Sequence, residues 1–166
     1  MTGRDLRAAR EAAAAVPDPE LPMLTLADLG ILRGVTAEGD AVVVTITPTY
    51  SGCPAMREIA HDLRARLGRA GFADVTVRTA LAPPWTSDWI TAEGRRKLHD
   101  AGVAPPGPAP AGPVPLTLGV MRRREVSCPR CGSPDTTQTA AFSGTACKAL
   151  HRCEACLEPF EYVKAV

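Results

Sequence analysis

Two cysteine pairs, "CPRCG" and "CEAC", do most to limit what this chain can fold into. They supply Cys128 and Cys131, then Cys153 and Cys156, with 21 residues between the pairs. A two-residue gap lets both thiolates of a tight turn reach one ion. Two such turns make the tetrahedral sulfur set that Zn²⁺ accepts, though the same ligands also suit iron or an iron–sulfur cluster. The tail around them holds only Phe142, Phe160 and Tyr162 as aromatics, too little core to fold without a metal. The expected module is a small β zinc ribbon over 116–166, with Zn²⁺ as a structural ion. Cys147 is then either a buried residue of the ribbon hairpin or an additional, exchanging thiol. His151 is expected as an exposed polar side chain, because four thiolates already complete the site.

Charge excludes some partners. Residues 103–166 carry 7 Lys+Arg against 5 Asp+Glu, and residues 1–102 carry 12 against 13. Four thiolates and one Zn²⁺ add −4 and +2 to the tail's +2 and bring it to about zero. No nucleic-acid footprint remains. The start of the chain lacks the apolar stretch of a secretory leader, and no apolar run reaches the roughly 18 residues of a membrane span. A cytoplasmic protein with reduced thiols is expected, in which clustered cysteines bind metal.

Upstream, Thr2 and Asp5 are spaced as a capping box, and Leu6, Ala9, Ala13 and Val16 recur at helical spacing, which predicts a helix over about Arg4 to Ala15. "PDPELP" follows as an acidic turn containing Asp18 and Glu20. "GILRGVTAEGDAVVVTITPT" reads as a hairpin in which Val42, Val44 and Ile46 share one face. From Pro54 to Ala70 the period changes to 3.6, with Ile59, Leu63 and Leu67 in one stripe. "ADVTVRTAL" is a third strand, and Thr91 caps a further helix that Gly102 stops. The fold class is α+β. A small mixed sheet with helices on one face, in α-β-β-α-β order over 1–102, precedes a Pro-rich linker over 103–115 and then the ribbon.

Cys53 stands apart from the other thiols. With Pro54 suited to a first helical position, it falls at a helix N-cap, where free N–H groups and the helix dipole favour thiolate. Such a sulfur can ligate metal, act as a nucleophile or sense oxidants; it can equally be a small apolar side chain tucked under its helix. His61, His99 and His151 are not placed by pattern as its base, which disfavours a thiol enzyme. Trp85 and Trp89, four apart, would lie on one side of a short helix, and Thr86 and Asp88 can hydrogen-bond its start.

The set "DPELP", "LADLGI", "TPTYSGCPA" and "APPWTSDW" resembles the SufT-like family of iron–sulfur maturation proteins. The later stretches "SDWITAEGRRKLHDAGVAPP" and "GTACKALHRCEACLEPFEYVK" are similar to the D-subunit family encoded with ring-epoxidising phenylacetyl-CoA oxygenases of phenylacetate degradation. The resemblance implies a non-catalytic accessory protein that helps install iron centres in the oxygenase and its reductase. It also implies that Cys53 is the ligand for transient iron or an iron–sulfur cluster, with Asp18, Glu20, Thr86 and Asp88 in supporting loops. Partners would be the oxygenase and reductase subunits, the iron–sulfur assembly machinery and a second copy pairing its Cys53. A stable, structural subunit of the oxygenase is the other reading.

Overall fold

A computed structural model describes residues 3–110 and 126–166; Thr2, the end of the expected linker and the first ten residues of the expected ribbon module lie outside the described residues. The chain forms two compact units, 1–85 with 89–94, and 86–88 with 95–166.

In the first unit α1 (Gly3–Ala14) buries Ala9 and Ala13 and stops before Pro17, whose ring cannot continue a helix. β1 (Leu32–Glu38) and β2 (Ala41–Ile46) form the expected hairpin, turning at Gly39 with φ +61°. α2 (Met56–Arg69) carries the chain across to β3 (Val75–Thr79), which pairs parallel to β2. The sheet order is β1-β2-β3, a mixed sheet. Helices α1 and α2 pack on the strands and on each other. Val42, Val44 and Ile46 are buried with Ile59, Leu63 and Leu67. Burying those six side chains contributes roughly 1.5–3 kcal/mol each before entropy is counted. The opposite sheet face carries exposed Thr36 and Thr76 and a bidentate ion pair from Arg78 on β3 to Glu38 on β1. Between Thr36 and Thr76 on that face Val43 of β2 is buried, so the face is polar on its edge strands and apolar at its centre.

After β3 a single turn of 3₁₀ helix, Ser87–Trp89, replaces the expected short helix around the tryptophans. Pro83 and Pro84 exclude helical geometry ahead of Trp85. α3 (Ala92–Asp100) begins as expected, with the Gly94 N–H donating to Thr91 Oγ1 at 2.9 Å, and ends at Gly102 with φ +77°.

The second unit holds a four-stranded sheet in the order β4-β7-β6-β5. Its strands are β4 (Val103–Ala104), β5 (Thr136–Ala140), β6 (Lys148–Cys153) and β7 (Pro159–Val163). β4 runs parallel to β7, and the other pairs are antiparallel. The compact units thus divide the chain elsewhere than at 102/103. Val103 and Ala104, expected in the linker, are buried strand residues. Arg95 donates to the carbonyls of Ser87, at 2.8 Å, and Pro106, and Ser87 N–H donates to the Val166 oxygen at 2.9 Å. These bonds lie within the unit that contains the ribbon, to which Thr86–Asp88 and the part of α3 from Arg95 onward belong.

Candidate functional site

The two cysteine turns are built alike. Cys128 N–H donates to Ser133 O and Gly132 N–H to Cys128 O, both at 2.9 Å, closing the first; Cys153 N–H donates to Glu158 O at 3.0 Å in the second. Each turn places a left-handed residue just after its second cysteine, Gly132 at φ +74° and Leu157 at φ +64°. Glycine takes that conformation freely, whereas a leucine there costs about 1–2 kcal/mol. Sequence reading passes over Leu157 because a leucine carries no turn signal.

The four sulfurs all lie within 4.8 Å of one another. Cys128 Sγ is 3.8 Å from Cys156 Sγ, and Cys131 Sγ is 3.5 Å from Cys153 Sγ. A tetrahedron with metal–sulfur bonds of about 2.3 Å has edges of about 3.8 Å, so the set fits one such ion. Cys128 and Cys153 are buried in the core with Val126, Ala149, Phe160 and Tyr162, while Cys131 and Cys156 face solvent. The charge states agree. The Cys156 N–H, assisted by that of Ala155, holds the Cys153 thiol down at about 7 against the effect of burial. Cys156 goes the other way: the Glu158 main-chain donor favours its thiolate, but burial and the Cys131, Cys153 and Cys128 sulfurs push it up to about 12. Such a quartet ionises fully only around a cation.

His151 is a correction. It is buried, 6% exposed, and its ring stacks on Phe160 with centroids 5.7 Å apart and meets Tyr162 edge-on at 5.4 Å. Neither ring nitrogen has a hydrogen-bond partner among the described residues, and burial lowers its pKa. The physical reason lies in the strand: His151 shares the inward face of β6 with Ala149 and Cys153. Cys147 is half-buried, its sulfur 3.1 Å from Thr145 Oγ1.

Cys53 is half-buried in the turn before α2, its N–H donating to Tyr50 O at 3.2 Å. It is not the N-cap. That position belongs to Ala55, with no side-chain cap bond, and the α-helix begins at Met56. Cys53 O instead accepts from Met56 N–H at 3.4 Å, one tight turn ahead of the helix proper. Pro54 fits that turn as well as a first helical position, since both want its fixed φ.

The supporting residues have structural duties. Asp18 is buried, and its Oδ1 accepts the N–H groups of Glu20 and Leu21, each at 2.9 Å, closing the acidic loop. Thr86 Oγ1 donates to Val166 O at 2.8 Å, and Asp88 Oδ1 accepts the Ala109 N–H at 3.0 Å. Asp18 and Glu20 share a unit with Cys53; Thr86 and Asp88 belong to the other. Asp28, unremarked in the sequence, is buried and forms a reciprocal box with Thr25: Thr25 N–H to Asp28 Oδ2 at 2.9 Å, Asp28 N–H to Thr25 Oγ1 at 3.1 Å. The spacing Thr25 to Asp28 is the signal that would have found it. The following residues anchor both tryptophans. Trp85 Nε1 donates to Leu29 O at 2.9 Å, and Arg33 lies 3.5 Å over the Trp89 ring.

An α/β unit with a cysteine turn, followed by a four-cysteine β ribbon, defines a class of protein, and family models match both halves. Residues 6–79 match the family described as iron-sulfur cluster assembly protein, and residues 114–164 the PaaD zinc beta ribbon domain. The chain is 44% identical over 151 residues to the D-subunit of a putative 1,2-phenylacetyl-CoA epoxidase from Escherichia coli (strain K12), covering 91% of this chain and 87% of the relative. It belongs to that D-subunit family. Over 85 residues it is also 33% identical to an "Fe-S protein maturation auxiliary factor" of Porphyromonas gingivalis, covering 50% of this chain and 80% of that protein. The crystal structure of a domain of unknown function, DUF59, from Bacillus anthracis superposes with TM-score 0.53 at 26% identity, over 57% of this chain and 92% of that one. The α+β architecture and the zinc-ribbon assignment hold. No helix among the described residues is long and apolar enough to cross a membrane.

Proposed function

We propose that this chain is a non-catalytic, cytoplasmic accessory factor that helps load iron or iron–sulfur centres into a phenylacetyl-CoA epoxidase and its reductase. The observation that carries the reading is one chain, similar along 91% of its length to an epoxidase D-subunit, whose residues 6–79 match an iron–sulfur cluster assembly family and contain Cys53. Cys53 acts as the transient ligand of the iron cargo. Its half-burial in a turn outside the helix leaves it in reach of a client, and a single thiolate holds metal weakly enough to release it. The remaining ligands come from a second copy of the chain, the assembly machinery or the client itself. Cys128, Cys131, Cys153 and Cys156 hold a structural Zn²⁺, which would cross-link the ribbon and leave the cargo chemistry to the other unit.

The test is the iron and acid-labile sulfide content of oxygenase and reductase co-produced with this protein, without it, and with Cys53→Ala. Loading should fall in both altered cases. Equal loading in all three would move Cys53 to a packing role. The relative's name, that of an enzyme component, favours a second reading, a stable structural part of the epoxidase. Co-purification at fixed stoichiometry with full iron content in the Cys53→Ala complex would select it.

A further inference from the structure

A hollow of about 100 Å³ lies in the first unit, lined by Arg10 of α1 and by Leu32, Arg33, Gly34 and Val35 of β1. That is well above the roughly 10–15 Å³ that admits a water. Its strand side is irregular. Pairing steps from Leu32↔Ile46 to Gly34↔Thr45, so Arg33 is the extra residue of a β-bulge. A bulge turns its residue out of the ladder and re-aims the side chain. Trp89 and the Gly30 carbonyl, 3.4 Å from Arg33 Nη1, hold that side chain in place.

The charges around the hollow are of one sign. None of its lining residues is acidic. Among the described residues Glu11 pairs with Arg7, Glu38 with Arg78 and Asp100 with Arg96, and neither Arg10 nor Arg33 takes part in an ion pair. Two arginines line a space of anion size, neither paired with a carboxylate among the described residues, and one of them is held over an indole. Arginine's fixed fork of donors matches a tetrahedral oxyanion in two hydrogen bonds at once.

We propose that this hollow binds a compact oxyanion, a phosphate or phosphate monoester, held by Arg10 and Arg33 against the bulge of β1. The site is independent of Cys53 and of the maturation reading. Because both arginines are exposed, binding is salt-sensitive and weak, with a Kd of about 1 mM.

The experiment is a titration of the zinc-loaded full chain with inorganic phosphate at fixed ionic strength, following the backbone amide resonances of Gly34 and Val35. A parallel titration uses adenosine 3′,5′-bisphosphate, and tighter binding there identifies a phosphate ester as the source. Saturable shifts at those two amides are expected. Arg10→Gln and Arg33→Gln should each weaken binding by roughly tenfold, and Arg33→Lys should weaken it less than Arg33→Gln because charge survives without the fork. Arg64→Gln, on the exposed side of α2, should leave it unchanged. Arg10→Gln alters only an exposed helical residue, so its result stands even if Arg33 variants disturb Trp89. Shifts that never saturate, or the same affinity in Arg10→Gln as in the unaltered chain, would overturn the site.

Discussion

At the scale of single residues, the most demanding position is Gly30. Its φ is +69°, and a Cβ there would lie 2.6 Å from the Trp89 Cβ and 2.8 Å from the Trp89 carbonyl oxygen. Both obstacles sit on or next to the main chain, so neither can swing away. Gly30→Ala is therefore expected to destabilise the first unit by about 2–3 kcal/mol through strain and overpacking. Gly68→Ala offers the opposite sign: it lies in α2 with open space around it, and alanine should stabilise by about 0.5–1 kcal/mol. Urea unfolding followed by Trp85 and Trp89 fluorescence reads both. A Gly30→Ala midpoint no lower than that of the unaltered chain would mean the 28–30 turn does not anchor the tryptophans. Thr91 was legible because a threonine before a helical stretch has one common use. Cys53 was misplaced because proline's φ suits the preceding turn and the helix equally, and only the hydrogen bonds separate them. His151 was misjudged on its polarity, although the two-residue period of β6 put it beside Ala149 and Cys153.

At the scale of elements, β6 and β7 carry two titrating groups whose effects run the same way with pH. Burial depresses the His151 pKa below its usual 6.5, so the unfolded chain takes the proton first. Its contribution is present above about pH 6.5 and is lost as pH falls below that. Glu161 is also depressed: burial opposes ionisation, but the Lys148 ammonium, 2.8 Å away, and the Ser143 hydroxyl outweigh it. Its contribution is present above about pH 4.5 and is lost on further acidification. Ribbon stability in the metal-loaded protein should then fall in two stages from neutral pH downward. His151→Leu should flatten the first stage and raise stability at pH 6 by about 1–2 kcal/mol, since two unpaired ring nitrogens leave the core. Thermal unfolding of both proteins across this range decides it, and an unchanged slope between pH 7 and 5.5 would show that zinc-ligand protonation alone sets the acid limit. The strands themselves were plain in the first unit, where Val42, Val44 and Ile46 alternate. They were less plain in the second, where the ribbon strand "TTQTA" is polar and only the cysteine spacing reveals the hairpin. The two-residue strand β4 had no pattern of its own, because its pairing depends on Glu161 and Tyr162, far along the chain.

At the scale of the whole chain, the two units reach stability by different routes. The first buries Leu24, Leu26, Ile46, Ile59, Leu63 and Leu67 almost completely, a core large enough to fold by hydrophobic burial. The second relies on a core of Ala104, Val126, Ala149, Phe160 and Tyr162, in which Cys128 and Cys153 also serve. Two of its core members thus belong to the four-cysteine site that could hold an ion, and on the proposed reading withdrawing that ion leaves four thiols that cannot all ionise, with a core too small to compensate. Chelation by a strong zinc ligand at neutral pH should accordingly unfold β5, β6 and β7. The amides of α1, β2 and α2 should keep their hydrogen-exchange protection, and the Trp85 and Trp89 emission should change little. Cys131→Ser, which removes a solvent-facing ligand and no core packing, should reproduce the chelated state. Loss of protection in β2 and α2 at the same chelator concentration as in β6 would mean that one cooperative transition spans the chain and that the ribbon's metal stabilises the Cys53 turn as well. Retained protection in β6 after complete metal removal would show that Phe160, Tyr162 and His151 pack well enough without the ion, and the metal would then need a role other than holding the fold.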